Sequence, residues 1–197
     1  MKKEEILEAT LKLAYEKGLG RVTMSQIAER VGLQKSSLYS HFQSKEELVE
    51  KMYLYLRERS KQRNGDTETD YDKLIEGRSL CEVLTLVVNA YRSMNREPQM
   101  EMFYQVIESE RYINKLAAEV MVSETKTMLQ ATKRLFSALQ EKQIAVFPDL
   151  DRAAVSFAMG VHAILEYELD TQTAGSHDAD GLMEQFIAEF ASRYQKS

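Results

Sequence analysis

A short run of polar side chains occupies residues 34 to 45. It reads "QKSSLYSHFQSK" and sets amide, ammonium, hydroxyl and imidazole groups around the apolar Leu38 and Phe42. Groups of these kinds hydrogen-bond to the edges of bases and to phosphate oxygens. Leu38 and Phe42 are one helical turn apart, so both can face a core while the polar groups remain outside. The pattern predicts a short helix with a polar binding face.

The flanking residues define the helices that position this polar run. Thr23-x-x-Gln26 is a capping box, which predicts a helix over 24–31. Gly32 permits the positive φ of a tight helix-ending turn before a helix over 35–42. Ser44-x-x-Glu47 is a second capping box, and it predicts a long helix to about Arg63.

Two short helices joined by a glycine turn and braced on both sides form a helix-turn-helix, whose second helix can enter the DNA major groove. The leading end of that helix is expected to reach base edges, and the following residues suit phosphate oxygens. A surface hairpin of helices with ordinary polar residues is the structural alternative. The predicted base-reading residues are Gln34, Lys35 and Ser36; the predicted phosphate contacts are Ser37, Tyr39, His41 and Lys45; Thr23 completes the DNA-binding set.

The charge distribution is compatible with binding to DNA through the N-terminal third alone. Residues 1–63 hold 13 Lys/Arg against 9 Asp/Glu, a balance of +4, whereas the remainder holds 13 against 22 and brings the whole chain to −5. Phosphate binding depends on local rather than total charge. The opening "MKKEEILEAT" lacks the apolar core of a signal peptide, and the single Cys81 suits a reducing compartment, so a cytoplasmic location is expected.

The remaining sequence also predicts helices, which makes the expected fold all-α. Residues 64–78 are polar and turn-rich, and they separate a DNA-binding domain over 1–48, with its connecting helix over 45–63, from a helical domain over 64–197. Within the second domain, apolar periodicity predicts five helical segments, with an interruption of the third near Ser123. These segments are 79–95, 99–109, 111–143, 150–170 and 181–195.

The segment "TMSQIAERVGLQKSSLYSHFQSKEEL" resembles the DNA-binding signature of TetR-like bacterial transcriptional regulators. The resemblance covers residues 5 to about 55. It implies an all-helical homodimer with a C-terminal ligand-binding domain, which represses transcription at a palindromic operator until a small molecule releases it. The family usually has a small hydroxyl residue in place of Gln34 and often a glycine in place of Ser36, so an operator sequence cannot be transferred from relatives.

The C-terminal residues supply a predicted dimer interface and effector pocket. The helix over 150–170 is apolar nearly all round and must be covered on more than one side, either by the core of its own subunit or by a partner. Met and aromatic residues predict a small hydrophobic or aromatic effector, although plain packing explains the same stripe. The predicted interface residues are Phe157, Gly160, Ile164, Phe186 and Phe190; the predicted pocket residues are Tyr91, Met94, Met102, Phe103, Tyr104, Met121 and Met128.

Two rival classes remain at the level of sequence. A helical interaction scaffold would use the helix-turn-helix without sequence-specific DNA binding. An enzyme is disfavoured because the sequence holds no Gly-rich phosphate loop, paired histidines or nucleophile motif. No cofactor or metal is predicted: His162 and Glu166 are one helical turn apart but lack a second histidine nearby.

Overall fold

The computed structural model describes residues 3–63 and 70–196, and in this part of the chain it contains ten α-helices and a single antiparallel bridge between Ala145 and Gln195. The all-α prediction is confirmed. The helices are α1 (Lys3–Lys17), α2 (Met24–Arg30), α3 (Lys35–His41), α4 (Lys45–Arg63), α5 (Tyr71–Ile75), α6 (Leu80–Asn95), α7 (Pro98–Glu110), α8 (Lys115–Glu141), α9 (Leu150–Ala174) and α10 (Leu182–Tyr194). None of these helices has both the length and the apolar character needed to cross a membrane.

Two sequence-based expectations about the helices need correction. The interruption predicted near Ser123 is wrong, because α8 continues without a break from Lys115 to Glu141. The polar segment over 64–78 includes a short helix, α5, whose first turn is capped by Asp70: its carboxylate accepts the backbone N–H of Lys73 at 3.1 Å. The rest of that segment, residues 64–69, lies outside the described residues.

The described residues form two compact units, and each crosses the predicted boundary between domains. One is drawn from Met1–Thr67 with Met94–Glu124, and the other from Glu68–Ser93 with Thr125–Ser197. The N-terminal unit therefore includes α7, which the sequence analysis assigned to the C-terminal domain. The reason is packing: α7 lies against α1 and α4, and the apolar Phe103 and Ile107 of α7 are fully buried in the same core.

The second unit is built around a cluster of aromatic rings. Phe136 stacks on Phe147 with ring centroids 4.4 Å apart and also contacts Phe157 and Phe190. Phe157 is 3% exposed and Phe190 is 9% exposed. Aromatic pairs at these separations add roughly 0.5–1.5 kcal/mol each beyond the area they bury. These contacts hold α8, α9 and α10 together within the chain.

Gly160 allows the close approach of α9 and α10. A methyl group at this position would lie 2.5 Å from Cζ of Phe186, well inside van der Waals contact. In the middle of a helix, replacing Gly with Ala normally stabilises by roughly 0.5–1 kcal/mol. We expect Gly160→Ala to destabilise the protein by about 1–3 kcal/mol instead, because the added carbon overpacks the contact.

Urea denaturation of a double-mutant set measures this effect. In a Phe186→Ala background the steric conflict is gone, so the same Gly160→Ala change should become neutral or stabilising. A Gly160→Ala protein that is more stable than wild type would show that Gly160 does not accommodate the Phe186 ring.

Candidate nucleic-acid interface

The capping box at the start of α2 forms as predicted. Thr23 Oγ1 accepts the backbone N–H of Gln26 at 3.3 Å, and Gln26 Oε1 accepts the backbone N–H of Thr23 at 2.9 Å. These two bonds fix the start of α2, while Ile27 and Ala28 anchor its inner face in the core. Thr23 itself is exposed, so its hydroxyl lies on the surface at the beginning of the helix-turn-helix.

Gly32 makes the turn between α2 and α3. Its φ is +68°, in the left-handed region that glycine adopts at little cost, and the N–H of Leu33 bonds to the carbonyl of Ala28 at 2.8 Å. A methyl group at this position would meet no heavy atom within 4 Å. The need for glycine is therefore conformational rather than steric.

We expect Gly32→Ala to destabilise the folded state by about 1–2 kcal/mol, which is the cost of holding an L-residue with a side chain in the left-handed region. Urea denaturation followed by circular dichroism measures the change. Gly32→Asn is the matched variant and should lose less stability, because Asn tolerates this region better than Ala. Equal stability of all three proteins would contradict the conformational explanation.

Helix α3 presents the predicted base-reading residues to solvent. Gln34, Lys35 and Ser36 are exposed at its leading end, while Leu38 is fully buried and Phe42 is 2% exposed. Gln34 occupies the N-cap position without making a side-chain cap, so its amide remains available for an outside partner. The ammonium of Lys35 lies 5.9 Å from the centroid of the Tyr39 ring, a cation–π distance.

The predicted phosphate contacts of α3 lie further along the helix, from Ser37 to His41 at its last residue. Tyr39 is 43% exposed, and Ser37 and His41 are half-buried. The geometry therefore places polar side chains of the predicted kinds along one short, exposed helix that its own apolar residues fix to the core. Their contacts with DNA remain predictions.

The second capping box starts α4 in a modified form. Ser44 Oγ accepts the backbone N–H of Glu47 at 3.1 Å, as expected. The carboxylate of Glu47 accepts the backbone N–H of Gln43, at 2.7 Å, one residue before the cap. This arrangement ties the end of the α3–α4 loop to the first turn of α4.

Lys45 is half-buried, and its ammonium donates a hydrogen bond to the carbonyl of Leu19. Burial lowers the pKa of Lys45, while the negative charge of Glu110 opposes that shift. An ammonium has three protons to donate. The bond to Leu19 therefore leaves donors for the predicted phosphate contact and gives Lys45 an additional role inside the protein.

Glu110 is a site residue that the sequence analysis missed. It is the last residue of α7 and is 8% exposed, yet its carboxylate reaches the 3-10 turn over Leu19–Arg21. Its Oε1 accepts the backbone N–H of Gly20 at 2.8 Å, and its Oε2 accepts the side-chain amide of Asn114 at 2.8 Å. Because Gly20 and Glu110 are 90 residues apart, no local spacing signals this contact.

Surface ion pairing also supports α2. Both terminal guanidinium nitrogens of Arg30 bond to the carboxylate of Glu16 on α1, at 3.2 and 2.7 Å. The hydrogen bonds from Arg30 hold the pKa of Glu16 below its usual range. Both side chains are exposed, so we attribute orientation of α2 rather than substantial stability to this pair.

The predicted dimer residues do not all lie on the surface. Phe157 and Phe190 are buried in the aromatic cluster, and Gly160 packs against Phe186 of the same subunit. The exposed apolar residues of α9 include Val155, at 41%, and Met159, at 38%. Periodicity identified an apolar helix but did not distinguish the faces covered by its own subunit from the open one.

The predicted pocket residues are divided between the two units. Phe103 is fully buried and stacks on Tyr53 of α4 with ring centroids 5.6 Å apart. Met102, Tyr104 and Met121 pack at the edge of the same N-terminal core. Met94 also belongs to the N-terminal unit, whereas Tyr91 and Met128 belong to the other unit. A pocket formed by this set remains a prediction.

The two weaker candidates have ordinary surroundings. Nε2 of His162 lies 3.3 Å from a carboxylate oxygen of Glu166, which is an ion-pair geometry when the histidine is protonated. Within the described ranges, 3–63 and 70–196, no three metal-binding side chains come together. Cys81 is half-buried and packs against the core of the second unit.

The segment that holds this site matches a known protein family. Residues 6–52 match the model of the family described as "Bacterial regulatory proteins, tetR family". The regulator TtgR of Pseudomonas putida is 33% identical over 72 residues, which are 36% of this chain and 34% of TtgR. The chain thus matches only about a third of the length of this curated relative.

Solved structures match over nearly the whole chain. A TetR-family regulator from Mesorhizobium loti has a TM-score of 0.72 at 18% identity, with 98% of this chain and 96% of that one covered. The flavonoid-responsive regulator FrrA has a TM-score of 0.73 at 21% identity, with 98% and 96% covered. At these identities the likeness shows the fold.

The resemblance predicted from the opening segment is confirmed over residues 6–52, which match the tetR family model. The curated relatives are named as transcriptional regulators.

Proposed function

We propose that the protein is a DNA-binding transcriptional regulator, which acts as a homodimeric repressor at a palindromic operator. The observation that carries the proposal is the helix-turn-helix over residues 23–45, with exposed Gln34, Lys35 and Ser36 at the leading end of α3. The match of residues 6–52, which include this helix-turn-helix, to the family model also supports it.

Charge and geometry suit DNA contact at this end of the chain. Residues 1–63 carry a net charge of +4 within a chain of −5. Basic side chains that neutralise phosphates provide affinity, whereas polar groups at base edges provide sequence preference. A single α3 contacts only a few base pairs, so two copies related by a two-fold axis are needed to specify a site.

Fluorescence-anisotropy titration tests the proposal. A labelled duplex from the region upstream of the coding sequence competes with an unlabelled duplex of scrambled sequence, at two salt concentrations. We expect the upstream duplex to bind at least about a thousandfold more tightly than the scrambled one. Equal, weak binding to both would favour the interaction scaffold over the regulator.

The finer part of the proposal is release by a small effector. The pocket prediction rests on Met and aromatic residues of α6, α7 and α8, and Met side chains adapt to irregular apolar ligands. One structural neighbour is named as flavonoid-responsive. By analogy, we propose a hydrophobic or aromatic effector. It binds preferentially to a form of the dimer in which the distance between the two α3 helices no longer matches the spacing of the half-sites, so the protein leaves the operator.

Linkage gives this release mechanism a quantitative test. A tenfold preference of the effector for the DNA-free protein corresponds to about 1.4 kcal/mol per site. Reciprocity requires operator DNA to weaken effector binding by the same factor. For a compound that relieves repression in cells, we expect calorimetry to show tighter binding to the DNA-free dimer. Equal affinity for the free and the DNA-bound dimer would contradict the mechanism for that compound.

A further inference from the structure

Glu110 places a buried negative charge at the C-terminal end of α7, where a helix disfavours negative charge. Glu110 is the last residue of α7, and an acidic side chain at the C-terminal end of a helix opposes the helix dipole. It is also 8% exposed, and burying a carboxylate is costly unless it accepts strong hydrogen bonds. Its position therefore calls for an explanation outside α7.

The hydrogen bonds of Glu110 supply that explanation. Oε1 accepts the N–H of Gly20, and Oε2 accepts the side-chain amide of Asn114, both at 2.8 Å. Asn114 in turn accepts the N–H of Leu116 at 3.1 Å through its own carbonyl oxygen, at the start of α8. One carboxylate thus joins the end of α7, the start of α8 and the turn before α2.

The turn is shaped to receive this carboxylate. Gly18 has a φ of +83°, and a methyl group there would lie 3.2 Å from Oε1 of Glu110. Glycine is therefore favoured at position 18 both by the backbone conformation and by the close approach of an oxygen.

The same turn also holds the far end of the helix-turn-helix. Lys45, the first residue of α4, donates its ammonium to the carbonyl of Leu19. Val22, which follows the turn and directly precedes the capping box, is 2% exposed. Residues 19–22 thus lead directly into α2 and also bind Lys45, at the start of the helix that follows α3. Glu110, on α7, holds these residues in place through its bond to Gly20.

We propose that Glu110 is a positioning residue for DNA binding: through Gly20 and Leu19 it fixes the arrangement in which α2, α3 and the start of α4 face DNA. The inference rests on the proposed function. Loss of the contact should weaken binding to every DNA sequence, because α3 keeps its own side chains and therefore its sequence preference.

Electrostatics alone predicts the opposite sign. Removing a negative charge beside a DNA-binding surface strengthens binding to phosphates. We expect Glu110→Gln to weaken binding by about tenfold despite this, because its new NH2 group faces the NH2 group of Asn114 or the N–H of Gly20, and one of these bonds is lost. Glu101→Gln, an exposed position on the same helix, is the matched control and should bind as tightly as wild type or more tightly.

A compensating pair separates positioning from general damage. Asn114→Asp moves the carboxylate to the partner, so the double variant Glu110→Gln/Asn114→Asp restores one donor opposite one acceptor at the net charge of wild type. We expect the double variant to bind an upstream duplex and a scrambled duplex within about twofold of wild type, while each single variant is weaker on both.

Hydrogen exchange supplies a readout that does not depend on DNA. The amide of Gly20 should exchange faster in Glu110→Gln than in wild type, because either its bond is lost or the side chain that accepts it is no longer held by Asn114. The double variant should restore its protection. Unchanged protection of Gly20, tighter DNA binding by Glu110→Gln, or a double variant that fails to recover would each overturn the inference. A wild-type protein that ignores DNA, with Gly20 exchange responding as expected, would instead count against the proposed function alone.

A second variant keeps the test open if Glu110→Gln does not fold. Gly18→Ala places a methyl group against Oε1 and should weaken DNA binding by about tenfold. Gly77→Ala is its control, because Gly77 has a similar φ of +70° and no heavy atom within 4 Å of an added carbon. Equal effects of the two glycine variants on DNA affinity would overturn the inference.

Discussion

Charges on the open apolar face of α9 are expected to convert the protein to monomers and to reduce its affinity for an upstream duplex by about a hundredfold or more. The change is the double variant Val155→Glu/Met159→Glu. Both residues are exposed, so the substitutions leave the aromatic core of the subunit intact. In a two-fold dimer through this face, the new charges of both copies would lie in one interface, and like charges at an interface repel.

The affinity loss follows from the two half-sites. When the two helix-turn-helix units of a dimer bind one duplex, the second unit binds at a high effective concentration because the first unit already holds it there. Monomers lose this advantage. Sedimentation velocity at micromolar concentration measures the oligomeric state, and anisotropy measures the affinity. Leu86→Glu/Val146→Glu is the control, since these apolar residues of the same unit are exposed at 44% and 51% and lie outside α9. A charged α9 variant that still sediments as a dimer would contradict the interface.

The second large effect is a separation of roles between α3 and the start of α4. We expect Lys35→Ala, and likewise Gln34→Ala, to change the base preference at one position of each half-site. The free-energy difference between the preferred base and the others should change by about 1–3 kcal/mol, because both side chains are exposed at the leading end of α3. Lys45→Ala should instead weaken binding to all sequences and lower the slope of log affinity against log salt by about one.

Competition titrations at several salt concentrations measure both quantities. Because Lys45 also holds the carbonyl of Leu19, the thermal unfolding of Lys45→Ala is recorded as a control for lost stability. A Lys45→Ala protein with altered sequence preference and an unchanged salt slope would contradict the assigned roles.

Local signals in the sequence located the helix-turn-helix closely. Thr23 and Ser44 mark helix starts, and Gly32 marks a turn, through contacts within a few residues of one another. Short-range hydrogen bonds and φ preferences are encoded in adjacent residues, so spacing alone predicts them.

The missed features depend on contacts between distant residues. Glu110 and Gly20 meet only after α7 packs against α1, and no periodicity marks Glu110 as buried. Phe157 and Phe190 were predicted at a dimer interface. The apolar pattern of a helix is the same whether its own chain or a partner covers it. Within the chain both rings are buried in the aromatic cluster, and the dimer interface stays a prediction.

Selection from a random-sequence duplex library tests the central claim most directly. The purified protein retains duplexes over several rounds in physiological salt, and the bound pool is sequenced. A dimer that reads two major grooves should enrich a palindrome whose half-sites are separated by one turn of DNA, roughly 34 Å, or by a multiple of it. Under the same conditions, the variant Lys35→Ala should enrich a palindrome altered in the bases that Lys35 contacts. A wild-type pool with no sequence enriched over the starting library would contradict the account.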